Sequence, residues 1–158
     1  AIAIVKVNEN GWWVADIVHG RWDIKKTAKK IFDAVARYQP VAVGIEKGAL
    51  KNAVLPYLTD IMKSSQRFFR VEELTHGNKK KTDRVVWGLQ GRFEHGQITL
   101  NKGEWNSQFL DELFQFPNAL VHDDLVDALA YIDQLAKVVY YYDYEEDDFE
   151  ILDPVAGY

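Results

Sequence analysis

The feature that most constrains the fold is a short apolar run, Val41-Ala-Val-Gly-Ile45, that is followed directly by Glu46. A run this short and apolar is typical of a β-strand that is covered on both faces. Strands of this kind occur in sheets with helices on each side, so the run predicts an α/β layered domain. A buried carboxylate is costly unless it is paired, so Glu46 either reaches a ligand or cation at the sheet edge, caps the next helix, or pairs with Lys47 or Lys51.

The rest of the chain alternates between strand-like and helix-like patterns. An Asn10-Gly11 turn between two extended segments predicts an N-terminal β-hairpin. The further predicted elements are helices over 23–39, 48–64, 82–95, 106–116 and 123–139, and strands over 41–46, 67–74 and 97–100. Together they predict a mixed β-sheet, antiparallel at its start and parallel later, flanked by helices. Such sheets bind ligands at the carboxyl ends of central strands, which is where Glu46 lies.

Composition excludes several classes of protein. The 158 residues include no cysteine, which excludes disulfides, thiolate nucleophiles and cysteine-bound metals. Any metal must therefore bind oxygen or histidine ligands. No apolar run approaches the roughly 20 residues of a membrane helix, and the N-terminus lacks a signal-peptide pattern. We therefore expect a soluble, unexported protein with no membrane partner. There is also no P-loop, so nucleotide hydrolysis is not expected.

Charge is distributed unevenly along the chain. The net charge is -5, but seven acids and no base lie within residues 143–153. The rest of the chain has 17 acids against 19 bases, a net charge of +2. This contrast divides the chain into a domain over 1–140 and an acidic, tyrosine-rich tail over 141–158. The tail is interpreted as a solvated terminus, a docking segment for a partner, or a competitor for a basic groove.

The densest group of candidate site residues is His122-Asp-Asp-Leu-Val-Asp127. Asp124 and Asp127 share a face in the first turn of a helix, and Asp123 stands at the expected N-cap. Three neighbouring carboxylates repel one another, and a divalent cation would neutralise them. All-oxygen ligands favour Mg²⁺ or Mn²⁺. The alternative is an acid-rich helix cap, and His122 is a candidate ligand or proton shuttle.

Basic residues precede and follow the start of the helix predicted over 82–95. They are Lys79, Lys80, Lys81, Arg84 and Arg92. Beside a carboxylate cluster, such a group is suited to hold a polyanion such as nucleic acid, although an ordinary solvated loop has the same composition. No motif that reads base edges is present, so sequence-specific recognition is not expected.

Several of these features occur together in a known family. They are Glu46 after its apolar strand, Lys81-x-x-Arg84 leading into residues 89–98, Glu112-Leu113 with Phe116-Pro117, and residues 122–131. Their order and spacing over residues 1–138 resemble the C-terminal nuclease domain of the large terminase subunit of tailed bacteriophages. The resemblance implies a ribonuclease H-like fold. It also implies a metal-dependent DNA endonuclease that cuts concatemeric double-stranded viral DNA with little sequence specificity.

The resemblance also assigns roles to individual residues. It implies that Glu46, Asp123, Asp124 and Asp127 form a two-metal site for Mg²⁺ or Mn²⁺, with Asp124 ranked first among the three aspartates. One ion would activate a water and the other would stabilise the leaving 3′ oxygen. Lys81 corresponds to a basic residue near the scissile phosphate. The family's first catalytic aspartate lies on a strand before the hairpin, which these residues do not include, so the fragment is expected to need an upstream segment or to be incomplete as an enzyme.

The resemblance implies partners as well. They are double-stranded DNA, the terminase ATPase domain, the small terminase subunit and the portal, all in the host cell cytoplasm. Two alternatives remain open from the sequence. One is a resolvase- or transposase-type nuclease, which would prefer branched DNA. The other is a non-catalytic module that binds DNA or docks the packaging motor.

Overall fold

Strands and helices alternate along the computed structural model, which describes residues 1–75, 77 and 80–147. The described strands are β1 (Ile2–Asn8), β2 (Gly11–Val18), β3 (Val43–Glu46), β4 (Val71–Leu74) and β5 (Ile98–Leu100). The described α-helices are α1 (Ile24–Tyr38), α2 (Ala49–Ser65), α3 (Lys81–Val85), α4 (Gly91–Glu94), α5 (Trp105–Gln115), α6 (Asp124–Ala130) and α7 (Ile132–Asp147). The α/β class and the N-terminal hairpin predicted from the sequence are confirmed.

The first sheet is mixed and has the order β1-β2-β5. β1 pairs with β2 in antiparallel register, and β5 pairs with β2 in parallel register. Gly11 is required at the start of β2, since its φ is 134° and a Cβ there would lie 2.2 Å from the carbonyl oxygen of Gln97. This close approach allows Trp12 N–H to donate to the same oxygen over 2.7 Å. The predicted edge strand over 97–100 is confirmed.

The second sheet consists of β3 and β4, which run parallel, with Glu46 opposite Leu74. The strands predicted over 41–46 and 67–74 both form, although each begins later than predicted. The two sheets are separated by an inter-sheet cleft of about 390 Å³. Residues 1–5 line one side of this cleft and residues 42–46 line the other, while α1, α6 and α7 supply further walls.

Two buried apolar clusters hold these elements together. The first joins the hairpin to α5 and α6 through side chains such as Val14, Phe109 and Leu129, each 0% exposed. The second joins α1 and α2 to β3, with Ala28 at its centre. Asp23 caps α1 as the sequence predicts, because its carboxylate accepts a 2.7 Å hydrogen bond from the backbone N–H of Lys26.

Three helices differ from their prediction. The helix predicted over 82–95 contains a π-helical turn, Val86–Gln90, between α3 and α4. The last helix divides near Tyr131 into α6 and α7, and α7 continues to Asp147, across the predicted boundary after residue 140. Residues 148–158 of the predicted tail lie outside the described part of the chain. The proline in the helix predicted over 48–64 marks a kink or a restart at Pro56, but the helix does not restart there, since Pro56 lies inside α2.

One expected core residue is wrong. The apolar pattern of the helix predicted over 106–116 places Phe109, Leu110, Leu113 and Phe114 inward, but Phe114 is 81% exposed. Glu112 is buried instead, with 4% exposure, because the inward face of α5 follows Trp105, Phe109 and Glu112. Within the described residues, no helix has the length and apolar character needed to cross a bilayer.

Candidate active site

Glu46 is the last residue of β3 and lines the inter-sheet cleft. Its carboxylate accepts a hydrogen bond from the phenol of Tyr131. Lys47 and Lys51, the neighbouring lysines, both form ion pairs with Glu73, at 3.5 Å for Lys47. Glu46 therefore belongs to the cleft.

The acidic turn predicted at 122–127 lies on the same cleft. Leu125, Val126 and Leu129 of α6 are buried with at most 1% exposure, and this packing fixes the orientation of the helix. Asp124 and Asp127 are three residues apart and therefore share the other face, where both line the cleft together with Glu46. The structure thus gathers three of the four predicted acidic site residues around one cavity.

Asp123 lies beside this group and is held by Lys81. The Lys81 Nζ atom is 2.6 Å from Asp123 Oδ1 and 3.6 Å from Asp127 Oδ2. Burial alone would lower the pKa of Lys81, but the hydrogen bond that Lys81 donates to Asp123 and the charges of Asp127, Asp123 and Asp124 outweigh it and raise that pKa. Lys81 therefore keeps its charge next to the aspartates, where the resemblance expected a basic residue.

Arg84 contacts two residues that line the cleft, Asp127 and Tyr131. Its guanidinium forms an ion pair with Asp127, and it stacks over the ring of Tyr131 with 4.3 Å between Cζ and the ring centroid. Burial raises the pKa of the Tyr131 phenol to about 12, and the charges of Glu46 and Asp127 act in the same direction, against Arg84. A neutral phenol can donate to Glu46 across the whole physiological pH range.

Two residues of this region carry roles that the sequence reasoning did not assign. Tyr131 bridges Glu46 and Arg84. It follows Asp127 by four residues, and this spacing places the two side chains on one face of a helix, so the sequence could have indicated its role. Glu112 caps α6, because its carboxylate accepts from the backbone N–H groups of Leu125 at 2.8 Å and Val126 at 3.3 Å. Asp123 occupies the N-cap position, but its side chain forms no cap hydrogen bond.

The other predicted residues lie apart from this network or cannot be placed. His122 is exposed. Arg92 pairs with Asp133 at 2.7 Å and stacks over Trp12, with 4.4 Å between Cζ and the ring centroid. Lys80 is exposed at the start of α3, and Lys79 lies outside the described residues.

The donor chemistry of the cleft suits a hard divalent cation. Glu46, Asp124 and Asp127 offer carboxylate oxygens, the ligands that Mg²⁺ and Mn²⁺ prefer. In the part of the chain that the structure describes, no three acidic or histidine side chains converge as a preformed metal site. Lys81 and Arg84 contact Asp127, and Tyr131 contacts Glu46.

The structure is an α/β domain with a mixed sheet and flanking helices, and acids line a cleft at the end of β3. The family model described as "Terminase RNaseH-like domain" matches residues 1–135, and the chain belongs to this family. Comparison with curated proteins and with solved structures found no match. The family membership supports a nuclease role within a terminase.

Proposed function

We propose that this domain is the divalent-metal-dependent endonuclease of a viral DNA-packaging terminase, which cuts concatemeric double-stranded DNA with little sequence specificity. The observation that carries the proposal is that Glu46, Asp124 and Asp127 line one cleft, with Lys81 and Arg84 paired to the neighbouring aspartates. Carboxylates with cations beside them are a combination that phosphodiester hydrolysis needs.

Glu46, Asp124 and Asp127 would hold Mg²⁺ or Mn²⁺, and Asp123 would stay with Lys81 or join them. When bound, such ions lower the pKa of water and stabilise charge on the leaving 3′ oxygen. Tyr131 orients the Glu46 carboxylate by its hydrogen bond. Lys81 and Arg84 balance the carboxylate charge and offer their cations to a bound phosphate. The exposed His122 is proposed as a proton shuttle.

The inter-sheet cleft also has room for the family's further carboxylate. Strand edges form its two sides and helices form its remaining walls. A strand inside a layered sheet has the same neighbours. On the β4 side of β3, the backbone N–H groups of Val43 and Lys47 donate to the carbonyl oxygens of Arg70 and Leu74. Backbone groups of successive residues point to opposite edges of a parallel strand, so those of Gly44 and Glu46 face the cleft. We place the aspartate that the resemblance implies on an extended segment seated here, next to Glu46.

DNA would be held by its backbone. The proposed phosphate contacts are Lys79, Lys80, Lys81, Arg84 and Arg92, of which Arg92 would have to exchange its ion pair with Asp133. Contacts of this kind carry no sequence information, in keeping with indiscriminate cutting. The packaging ATPase, the small terminase subunit and the portal are the proposed partners, in the cytoplasm of an infected bacterial cell.

Cleavage of supercoiled plasmid with Mn²⁺, Mg²⁺ or EDTA tests this function. We expect metal-dependent nicking that Glu46→Gln reduces at least about 100-fold, since each 1.36 kcal/mol of lost transition-state stabilisation is tenfold in rate. Glu73→Gln is the matched control, because Glu73 is on the neighbouring strand and forms ion pairs with Lys47 and Lys51. Near wild-type nicking by Glu46→Gln would exclude the proposed site.

A non-catalytic module that binds DNA or docks the motor is the second candidate. It is favoured by one observation, that Lys81 and Arg84 already form ion pairs with Asp123 and Asp127. DNA binding that is independent of metal and unchanged by Glu46→Gln, without nicking, would support it. A preference for branched over linear duplex would instead favour a resolvase- or transposase-type nuclease.

A further inference from the structure

Glu112 is an acid of the family-like motifs that does not line the inter-sheet cleft. It is the buried charged residue of the described core, with 4% exposure, and it lies on the inward face of α5. A buried carboxylate is retained at little cost only where hydrogen bonds satisfy it. Its partners therefore indicate what it does.

Those partners belong to the helix that carries the site aspartates. Glu112 Oε2 accepts from the backbone N–H groups of Leu125 at 2.8 Å and Val126 at 3.3 Å, and Oε1 accepts from Gln108 at 3.2 Å. The first N–H groups of a helix have no partner within the helix and need an external acceptor. Glu112 supplies that acceptor from a different helix.

In most helices the N-cap side chain does this work. Asp123 occupies the N-cap position of α6, yet it makes no cap hydrogen bond and contacts Lys81 at 2.6 Å instead. In the structure this side chain is turned to Lys81, and the N–H groups of Leu125 and Val126 donate to Glu112. The cap from Glu112 thus leaves Asp123 available for the site.

We propose that Glu112 is a positioning residue for the acidic turn: by capping α6 in place of Asp123, it holds Asp124 and Asp127 at the cleft and leaves Asp123 with Lys81. This role rests on the proposed function, because it assumes that the aspartates bind metal. Residues that orient metal ligands in this way commonly change metal affinity by about 10- to 100-fold when they are replaced.

Glu112→Ala and Glu112→Gln separate positioning from mere filling of space. In Glu112→Ala we expect the amides of Leu125 and Val126 to lose hydrogen-exchange protection in metal-free protein. The Mn²⁺ concentration for half-saturation, measured by calorimetry, should rise about tenfold. Glu112→Gln should restore both, since its amide oxygen accepts the same N–H groups and the Gln108 amide can turn to match it.

Leu58→Ala is the control, because Leu58 is fully buried in the second apolar cluster, away from α6. It should lower the melting temperature while Mn²⁺ half-saturation stays unchanged.

Unchanged amide protection or Mn²⁺ affinity in Glu112→Ala would overturn the proposal, as would failure of Glu112→Gln to restore them. If the wild type binds Mn²⁺ but does not cut DNA, the nuclease proposal fails while these readouts still decide the role of Glu112. If the wild type binds no Mn²⁺, the proposed metal-dependent function fails. The hydrogen-exchange protection of the Leu125 and Val126 amides then decides whether Glu112 caps α6.

Discussion

Tyr131 connects the two halves of the candidate site. Its phenol donates to Glu46 at the end of β3, and its ring supports Arg84, which pairs with Asp127 on α6. One aromatic side chain therefore couples an acid from the sheet with an acid from a helix. Because the neutral phenol is the form that donates, the protonation of Tyr131 and the stability of the folded chain are linked.

The pKa of Tyr131 gives a prediction on pH. It is raised from 10.0 to about 12 in the folded chain, so the folded state holds this proton more tightly than the unfolded chain does. The resulting stability is fully present below pH 10 and is lost as pH rises towards 12. In urea titrations from pH 9 to pH 12, wild type should lose free energy of unfolding more steeply than Tyr131→Phe. Parallel curves for the two proteins would contradict this account.

The sequence identified the acids at this scale but not their partners. Glu46, Asp124 and Asp127 could be predicted, because a strand end and a helical spacing of three are local patterns. The cap that Glu112 gives to α6 and the bridge made by Tyr131 are tertiary contacts between residues far apart in the chain. Phe114 was wrongly placed inward for a related reason, since apolar type alone does not distinguish the two sides of α5.

At the scale of elements, the predictions succeeded where local chemistry decides the boundary. Asp23 begins α1 by accepting from the N–H of Lys26, and α1 ends at Tyr38, shortly before Pro40. The π-helical turn Val86–Gln90 and the break near Tyr131 have no such local signal. There, Gly88 lies against α6, where a Cβ would be 3.4 Å from the carbonyl oxygen of Ala130. Both irregularities lie where these two helical segments pack against each other. Such packing cannot be recognised in a single sequence.

The cap of α1 can be tested directly. Asp23→Ala removes the acceptor for Lys26 N–H, and we expect it to lower the free energy of unfolding by about 1 kcal/mol. The matched control is Asp33→Ala on the same helix, which removes only an exposed pair with Lys29 and should cost about 0.5 kcal/mol or less. Denaturant titration measures both. Equal losses in the two variants would show that the side-chain cap does not stabilise α1.

At the scale of the whole molecule, the inter-sheet cleft determines the arrangement of the candidate site. It separates the mixed sheet from the parallel pair, and its lining includes both apolar strand edges and the acids Glu46, Asp124 and Asp127. The fold class could be predicted from alternating strands and helices. The separation into two sheets could not, because the pairing of strands distant in sequence is a property of the assembled molecule.

The same cleft gives meaning to the charge distribution. Glu46, Asp124 and Asp127 line it, while Lys81 and Arg84 of α3 both pair with Asp127. A bound phosphate would compete for these two cations, and divalent ions would take the carboxylates that the cations release. DNA and metal should therefore support each other's binding at one site.

The central claim is that Glu46 and Asp124 act in one metal-dependent cutting site. The most direct test is the nicking rate of supercoiled plasmid with Mn²⁺ for Glu46→Gln, Asp124→Asn and the double variant. Groups that act as a unit give losses that do not add, so each single variant should fall at least about 100-fold and the double variant no further. A single variant that nicks at the wild-type rate, or losses that multiply in the double variant, would contradict the claim.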